Sequence, residues 1–271
     1  MATQIIALLC EGAHDVEFLS RILKSNNFSS NDGLKIKEYP SPIDQLLKSE
    51  ATKTNVDDLN LLSVRQVLLP GATLRKGETF FLLYSLGGDG KKEIRKQLLS
   101  DFYILIPKEN EISPLPDDTS LGIVYFLDAD DKGIAARISE LNDEINEVIG
   151  ITPFTNHKEI FDYSGLKLGA YIFTGSNNDK GKLEDVLMPL MKKDNEDIFE
   201  NADLYLKKYS NEERKVKKYD NDKSIIGLVG QLQISGASNT VCIKRSDYLN
   251  DENITADQKC IEIVAYVTSL L

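Results

Sequence analysis

The apolar positions along the chain fall into a unit that repeats four times. Gln4 to Gly12, QIIALLCEG, is a short apolar run ending in Glu-Gly, and the AHDVEFLSRILKSN after it places Val16, Leu19, Ile22 and Leu23 at helical spacing. That predicts strand, turn, helix. Thr79 to Leu86 reads as a second buried strand, followed by a Gly-rich turn and a helix from about Lys91. LGIVYFLDADDKGIAARISELNDEINEVI repeats the unit a third time and LGAYIFTGSNNDKGKLEDVLMPLMKK a fourth. Between the first and second units, residues 39–77 carry Pro40, Pro42, Pro70 and Gly71 around a weak helical segment and read as an insertion.

Strands that are apolar on both faces and alternate with amphipathic helices imply a mostly parallel sheet covered by helices on both sides, an α/β fold. Residues 1–194 are expected to form this domain, insertion included. Residues 195–271 read as a mainly helical C-terminal extension packed on it, with one short strand at Asn239 to Ile243 and a last amphipathic helix in DQKCIEIVAYVTSLL. In such sheets the polar residues of interest collect beyond the carboxyl ends of the strands. Glu11, Gly87-Gly88, Asp128 with Asp130, and Asn177-Asn178 are expected to share that edge.

The third unit is chemically the most pointed. Its apolar run ends in Asp128, Asp130 and Asp131, and strand alternation would send Asp128 and Asp130 off one face while the small Ala129 turns away. Two carboxylates crowded on one face repel unless a cation neutralises them or one is protonated, so the pair points to a metal. Asp131 has a simpler explanation as a helix cap. Asp15, one helical turn after Glu11, either joins Glu11 or complements the dipole of its helix. Glu184 and Asp185, in the first turn of the fourth unit's helix, carry the same two readings. His14 reads as incidental.

Composition narrows the chemistry. The chain has 271 residues, 41% of them hydrophobic, enough for a substantial core. No run approaches the roughly 18 apolar residues of a membrane span, and no basic segment precedes the first apolar stretch, so the sequence reads as that of a cytoplasmic protein with no membrane partner. Cys10, Cys242 and Cys260 are too scattered for a zinc site, and with two histidines any ion must be held mainly by oxygen, which favours hard cations. A net charge of −11 argues against general adhesion to nucleic acid. A local footprint is still available: seven Lys/Arg stand against four Asp/Glu between Lys207 and Lys223, and Lys91, Lys92, Arg95 and Lys96 form a second basic cluster. Both also suit solvated helix faces.

Taken with their order and their places at strand ends, LLCEGAHDVEFL and YFLDADD resemble the two signature motifs of the Toprim domain, shared by topoisomerases, bacterial primases, recombination-mediator proteins and the overcoming-lysogenization-defect type nucleases. The resemblance covers about residues 4 to 190 less the insertion. It runs closest to stand-alone bacterial Toprim proteins related to those nucleases, in which a segment like GKLEDVL follows the Asp-x-Asp unit. It implies metal-dependent phosphodiester chemistry on DNA or RNA, most naturally a nuclease using Mg²⁺ or Mn²⁺, with Glu11, Asp15, Asp128, Asp130 and Glu184 as ligands and Asp185 as a sixth carboxylate. It gives Glu11 a proton-transfer role and leaves room for a phosphate-facing lysine, for which Lys223 is the candidate. LGGDGKKE lacks the Gly-x4-Gly-Lys-Ser/Thr spacing of a P-loop, so an ATPase partner, where one is used, would be a separate protein. A non-catalytic Toprim scaffold and a haloacid-dehalogenase-like phosphohydrolase, which also places Asp-x-Asp after a buried strand, are the other readings.

Overall fold

The computed structural model describes residues 3–52, 69–86, 89–107, 115–116, 118–175, 179–213 and 220–271. Gly87-Gly88, Asn177-Asn178 and the middle of the basic segment, 214–219, lie outside the described residues. The strands are β1 (Thr3–Cys10), β2 (Ser29–Ser30), β3 (Ala72–Lys76), β4 (Thr79–Ser85), β5 (Thr119–Asp128), β6 (Ile160–Tyr163) and β7 (Leu166–Phe173). They form one sheet in the order β2-β3-β4-β1-β5-β7-β6. The four central strands, β4, β1, β5 and β7, run parallel; β2, β3 and β6 are antiparallel additions at the edges. The fold is α/β.

Alternation along the central strands divides the core. Ile5, Ala7 and Leu9 of β1 face one side with Leu82, Tyr125 and Ile172, under the helices α2 (Ile43–Thr52), α3 (Lys92–Ile104) and α4 (Ile134–Ile149). Ile6, Leu8 and Cys10 face the other side with Phe81, Phe126 and Tyr171. That side is covered by α1 (Ala13–Lys24), α5 (Leu183–Lys192), α6 (Glu196–Glu213), α7 (Asn221–Gln233), α8 (Asn239–Arg245), α9 (Asp251–Ala256) and α10 (Gln258–Thr268). The helices beyond residue 194 thus share their core with α1 and α5. Gln4 Nε2 and Lys167 Nζ both donate to the Leu270 carbonyl, at 2.9 and 2.7 Å, and Tyr171 Oη donates to Glu262 at 2.8 Å.

Two segments differ from the sequence expectation. Asn239 to Ile243, read as a strand from Thr240, Val241 and Ile243, is helix α8. Ser238 caps it by accepting from the Val241 N–H at 3.4 Å. The β-branched residues lose to tertiary packing, since Cys242 and Ile243 are buried and a Cβ at Gly230 of α7 would come within 3.0 Å of the Cys242 sulfur. Ala72–Lys76, inside the stretch read as an insertion, is a sheet strand paired with β4 across a tight turn at Gly77, whose φ is +60°. Among the described residues no helix is long and apolar enough to cross a membrane.

On the α2/α3/α4 side, a buried ion pair ties α3 to α4: Arg95 Nε and Nη2 donate to Glu144 Oε1 and Oε2 at 3.0 and 2.8 Å, and Nη1 reaches the Leu86 carbonyl at 3.4 Å. Glu144→Ala leaves that guanidinium buried without its carboxylate and is expected to cost about 3–5 kcal/mol. The measurement is the urea midpoint, and the double variant Arg95→Met/Glu144→Leu should recover most of the loss.

Candidate metal centre

From β1 the chain lays down β2, β3 and β4 on one side and then crosses to the other side of β1 to lay down β5, so the sheet reverses its winding beside β1. The register puts Cys10 opposite both Ser85 and Phe126, and Asp128 opposite Phe173, which brings the carboxyl ends of the four parallel strands to one edge. Glu11 continues β1 there. Its N–H donates to the Phe126 carbonyl at 3.2 Å, and its Oε2 accepts from the Asp128 N–H at 3.0 Å. The acids at the ends of β1 and β5 are therefore locked together through backbone.

Helix α1 brings in the next carboxylate. Asp15 Oδ2 accepts from the Gly12 N–H at 2.9 Å, closing the first turn, while its Oδ1 is buried with no hydrogen-bond partner. The helix-start reading of Asp15 is met by Oδ2, and Oδ1 is left facing the other acids without a hydrogen bond. From α5, the Leu183 N–H donates to Asp128 Oδ1 at 2.8 Å, which sets the helix start against β5 and buries Glu184 to 1% exposure. Glu184 Oε2 also lacks a hydrogen-bond partner; Lys182 Nζ approaches it to 3.8 Å. Its other oxygen is 3.6 Å from His14 Nδ1 and 3.4 Å from Lys223 Nζ. Lys223 is placed by the first turn of α7, where Asp220 caps the helix and binds Lys182 at 2.6 Å.

The electrostatics follow from this packing. Burial, with the negative charges of Asp15, Glu11 and Glu184 around it, pushes Asp128 well above the ordinary carboxylate range. Burial, with Glu11 and Glu184, does the same to Asp15, against the opposing pull of backbone N–H groups. Glu184 goes the other way: burial disfavours its charge, but His14, Lys223 and Lys182 outweigh that and hold it below its usual value. Without a cation, burial and mutual repulsion thus favour the protonated forms of Asp15 and Asp128, while lysines stand beside Glu184.

Two expected members stand apart. The strand ends at Asp128, and Asp130 has a left-handed backbone (φ +48°) with its N–H and C=O paired to Gly181 at 2.7 and 3.1 Å. Alternation therefore stops, and the Asp130 carboxylate goes to Arg137 Nη2 at 2.8 Å instead of standing beside Asp128. The same guanidinium holds the Asp128 carbonyl through Nε at 2.8 Å. Asp185 accepts from the Lys182 N–H at 2.8 Å and is exposed, the helix-stabilising role. Asp131 does not cap α4: the cap position is Gly133, at φ +84°, with no side-chain bond, and Asp131 is exposed in the turn before it. His14, set aside in the sequence, is at the site, and nothing in the sequence alone relates it to Glu184, 170 positions away.

As the side chains stand, no three His, Cys, Asp or Glu groups among the described residues are disposed to hold a metal ion. The donor set nevertheless suits a hard cation: carboxylates from the end of β1, from α1, from β5 and from α5, two of them with a buried oxygen that accepts no hydrogen bond. The raised acids carry a sign. Asp15 and Asp128 bind protons in the folded state that they release on unfolding at neutral pH, so the metal-free protein loses stability as pH rises from the ordinary carboxylate range upward. Asp128→Asn should therefore unfold at higher urea than the parent at pH 8, with the difference shrinking toward pH 5 as the unfolded chain's carboxyl approaches its own proton-binding range.

A crystal structure of the hypothetical protein PH0156 from Pyrococcus horikoshii OT3 aligns over 99% of this chain and 98% of that one, with a TM-score of 0.56 and 15% identity. At that identity the likeness shows the fold. No curated protein matches the chain. The chain belongs to the family described as "Protein of unknown function (DUF3226)", which matches residues 6–263.

Proposed function

We propose that the acid cluster at the carboxyl edge of the sheet is a divalent-metal site for Toprim-type phosphodiester chemistry, and that the protein is a Mg²⁺- or Mn²⁺-dependent nuclease acting on nucleic acid. The observation that carries this is the pair of buried carboxylate oxygens that accept no hydrogen bond, Asp15 Oδ1 and Glu184 Oε2, the latter with Lys182 Nζ 3.8 Å away, beside an acid pushed above its ordinary range. Leaving such atoms bare is costly unless a ligand completes them. The resemblance of LLCEGAHDVEFL and YFLDADD to the Toprim motifs supplies the reaction class.

In this reading Glu11, Asp15, Asp128 and Glu184 hold the ion. Asp130 would join only by leaving Arg137, and Asp185 by releasing the Lys182 N–H. When bound, the divalent ion stabilises negative charge on the phosphate oxygens. Glu11 moves a proton at the attacking or leaving oxygen, and its Oε2 is already fixed by the Asp128 N–H. Lys223, half-exposed and beside Glu184, offers its ammonium to a phosphate. A separate ATPase would supply any nucleotide-driven step.

Two outcomes test this. Calorimetric titration with Mn²⁺ should show binding that the double variant Asp15→Asn/Asp128→Asn abolishes while its fold is retained; undiminished binding would remove the cluster from consideration. In a metal-dependent nicking assay, Glu11→Gln should lower activity by roughly 10²-fold or more, the scale of a lost general acid/base, and Asp131→Asn should cost far less. Phosphate release from monoesters in place of nicking would favour a phosphohydrolase, and activity toward neither a scaffold.

A further inference from the structure

We propose that β6 is a self-pairing edge, where two copies of the chain join strand to strand into one continuous sheet with a twofold axis at Phe161. β6 is the outermost strand, paired with β7 alone. The opposite edge of the sheet, β2, is two exposed serines. β6 instead presents Ile160 and Phe161, 38% and 39% exposed. Open edges are commonly guarded by lysine or proline. The sequence IFDY of β6 has neither, and its one charge, Asp162, is drawn into the hairpin, where Oδ1 accepts from the Gly165 N–H at 2.9 Å. Tyr163 stacks on Tyr103 of α3, ring centroids 6.0 Å apart, which holds the strand against the helix layer.

The hairpin decides which backbone groups are offered. Ser164 and Gly165 both have positive φ, +53° and +90°, the two-residue turn in which the flanking residues, Tyr163 and Leu166, share a bonded pair. Bonded and non-bonded pairs alternate along an antiparallel ladder. Phe161 therefore bonds inward to Leu168, while the N–H and C=O groups of Ile160 and Asp162 point out of the sheet. A second β6, laid antiparallel with Phe161 opposite its own copy, meets all of them. Ile160 of each copy exchanges both its hydrogen bonds with Asp162 of the other, and the two Phe161 rings meet as a non-bonded pair, the kind that brings side chains closer. The neighbouring axes fit worse. An axis at Asp162 sets like charges opposite each other, and one at Ile160 draws Lys158, whose backbone is left-handed (φ +65°), into the ladder. The edge thus suits a second copy of itself in one register. Because antiparallel pairing reverses the strand direction, the two acid clusters open at opposite ends of such a dimer, clear of the interface.

Sedimentation equilibrium of the full chain should show a reversible dimer at twice the chain mass. Phe161→Lys, which sets two ammonium groups on the axis, should raise the dissociation constant by roughly 10-fold or more with an unchanged circular dichroism spectrum. The register is tested by cysteines, since Cys10, Cys242 and Cys260 are buried. On mild oxidation with diamide, Phe161→Cys should be linked to its copy, because a non-bonded pair brings the two Cα atoms to about 4.5 Å, within disulfide reach. Asp162→Cys is equally exposed but stands opposite Ile160, and should stay largely unlinked. A wild-type chain still monomeric at roughly 1 mM, the weak end of association, overturns the proposal. So does a dimer indifferent to Phe161→Lys, or Asp162→Cys linking as readily as Phe161→Cys. Should Phe161→Lys fail to fold, the two cysteine variants give the decision without it.

Discussion

The parallel pairing of β1 with β5 is the constraint on which the rest of the edge depends. It sets Cys10 opposite Phe126, lets the Glu11 N–H continue the ladder, and returns the Asp128 N–H to the Glu11 carboxylate. One more bond, from the Leu183 N–H to Asp128, docks the start of α5 and with it Glu184. A shift of one residue between these strands would reverse the side on which each end points and scatter the acids. The sheet therefore holds the carboxylates close through backbone hydrogen bonds, and their mutual repulsion is met by the raised proton affinity of Asp15 and Asp128 and by the lysines beside Glu184.

The central strands and their helices were legible because each is apolar enough, and long enough, for its period to show. The edges were harder. β6 and β7 form a hairpin across Ser164-Gly165, both with positive φ, and Ser-Gly between apolar stretches is a recognisable two-residue turn. Its first strand carries little signal of burial, since Ile160 and Phe161 lie exposed on a thinly covered edge. β3 was hidden by the prolines around it. α8 failed for the opposite reason: its local preference for strand was plain, and the pocket between α1 and α7 overruled it.

The candidate site divides along similar lines. Glu11, Asp15 and Asp128 could be found because each sits at a strand end or first turn, positions that a periodic pattern locates to within a residue or two. Asp130 illustrates where this stops. Alternation is a property of extended backbone, and the left-handed turn at Asp130 gives its carboxylate to Arg137, a partner visible only once α4 is in place. His14 and Lys223 meet at Glu184 from helices at opposite ends of the chain. Such a meeting is decided by packing and leaves no local trace.

The bond from Gln4 to Leu270 joins residues 266 positions apart, and it carries a consequence for biosynthesis. Ile6, Leu8 and Cys10 on one side of the first strand are roofed partly by helices made last. While the chain is being synthesised, that side of the nascent sheet stays greasy and uncovered until α7 through α10 have emerged. A topology so rich in distant contacts folds late and slowly, and the waiting surface is what chaperones bind and what neighbouring nascent chains stick to.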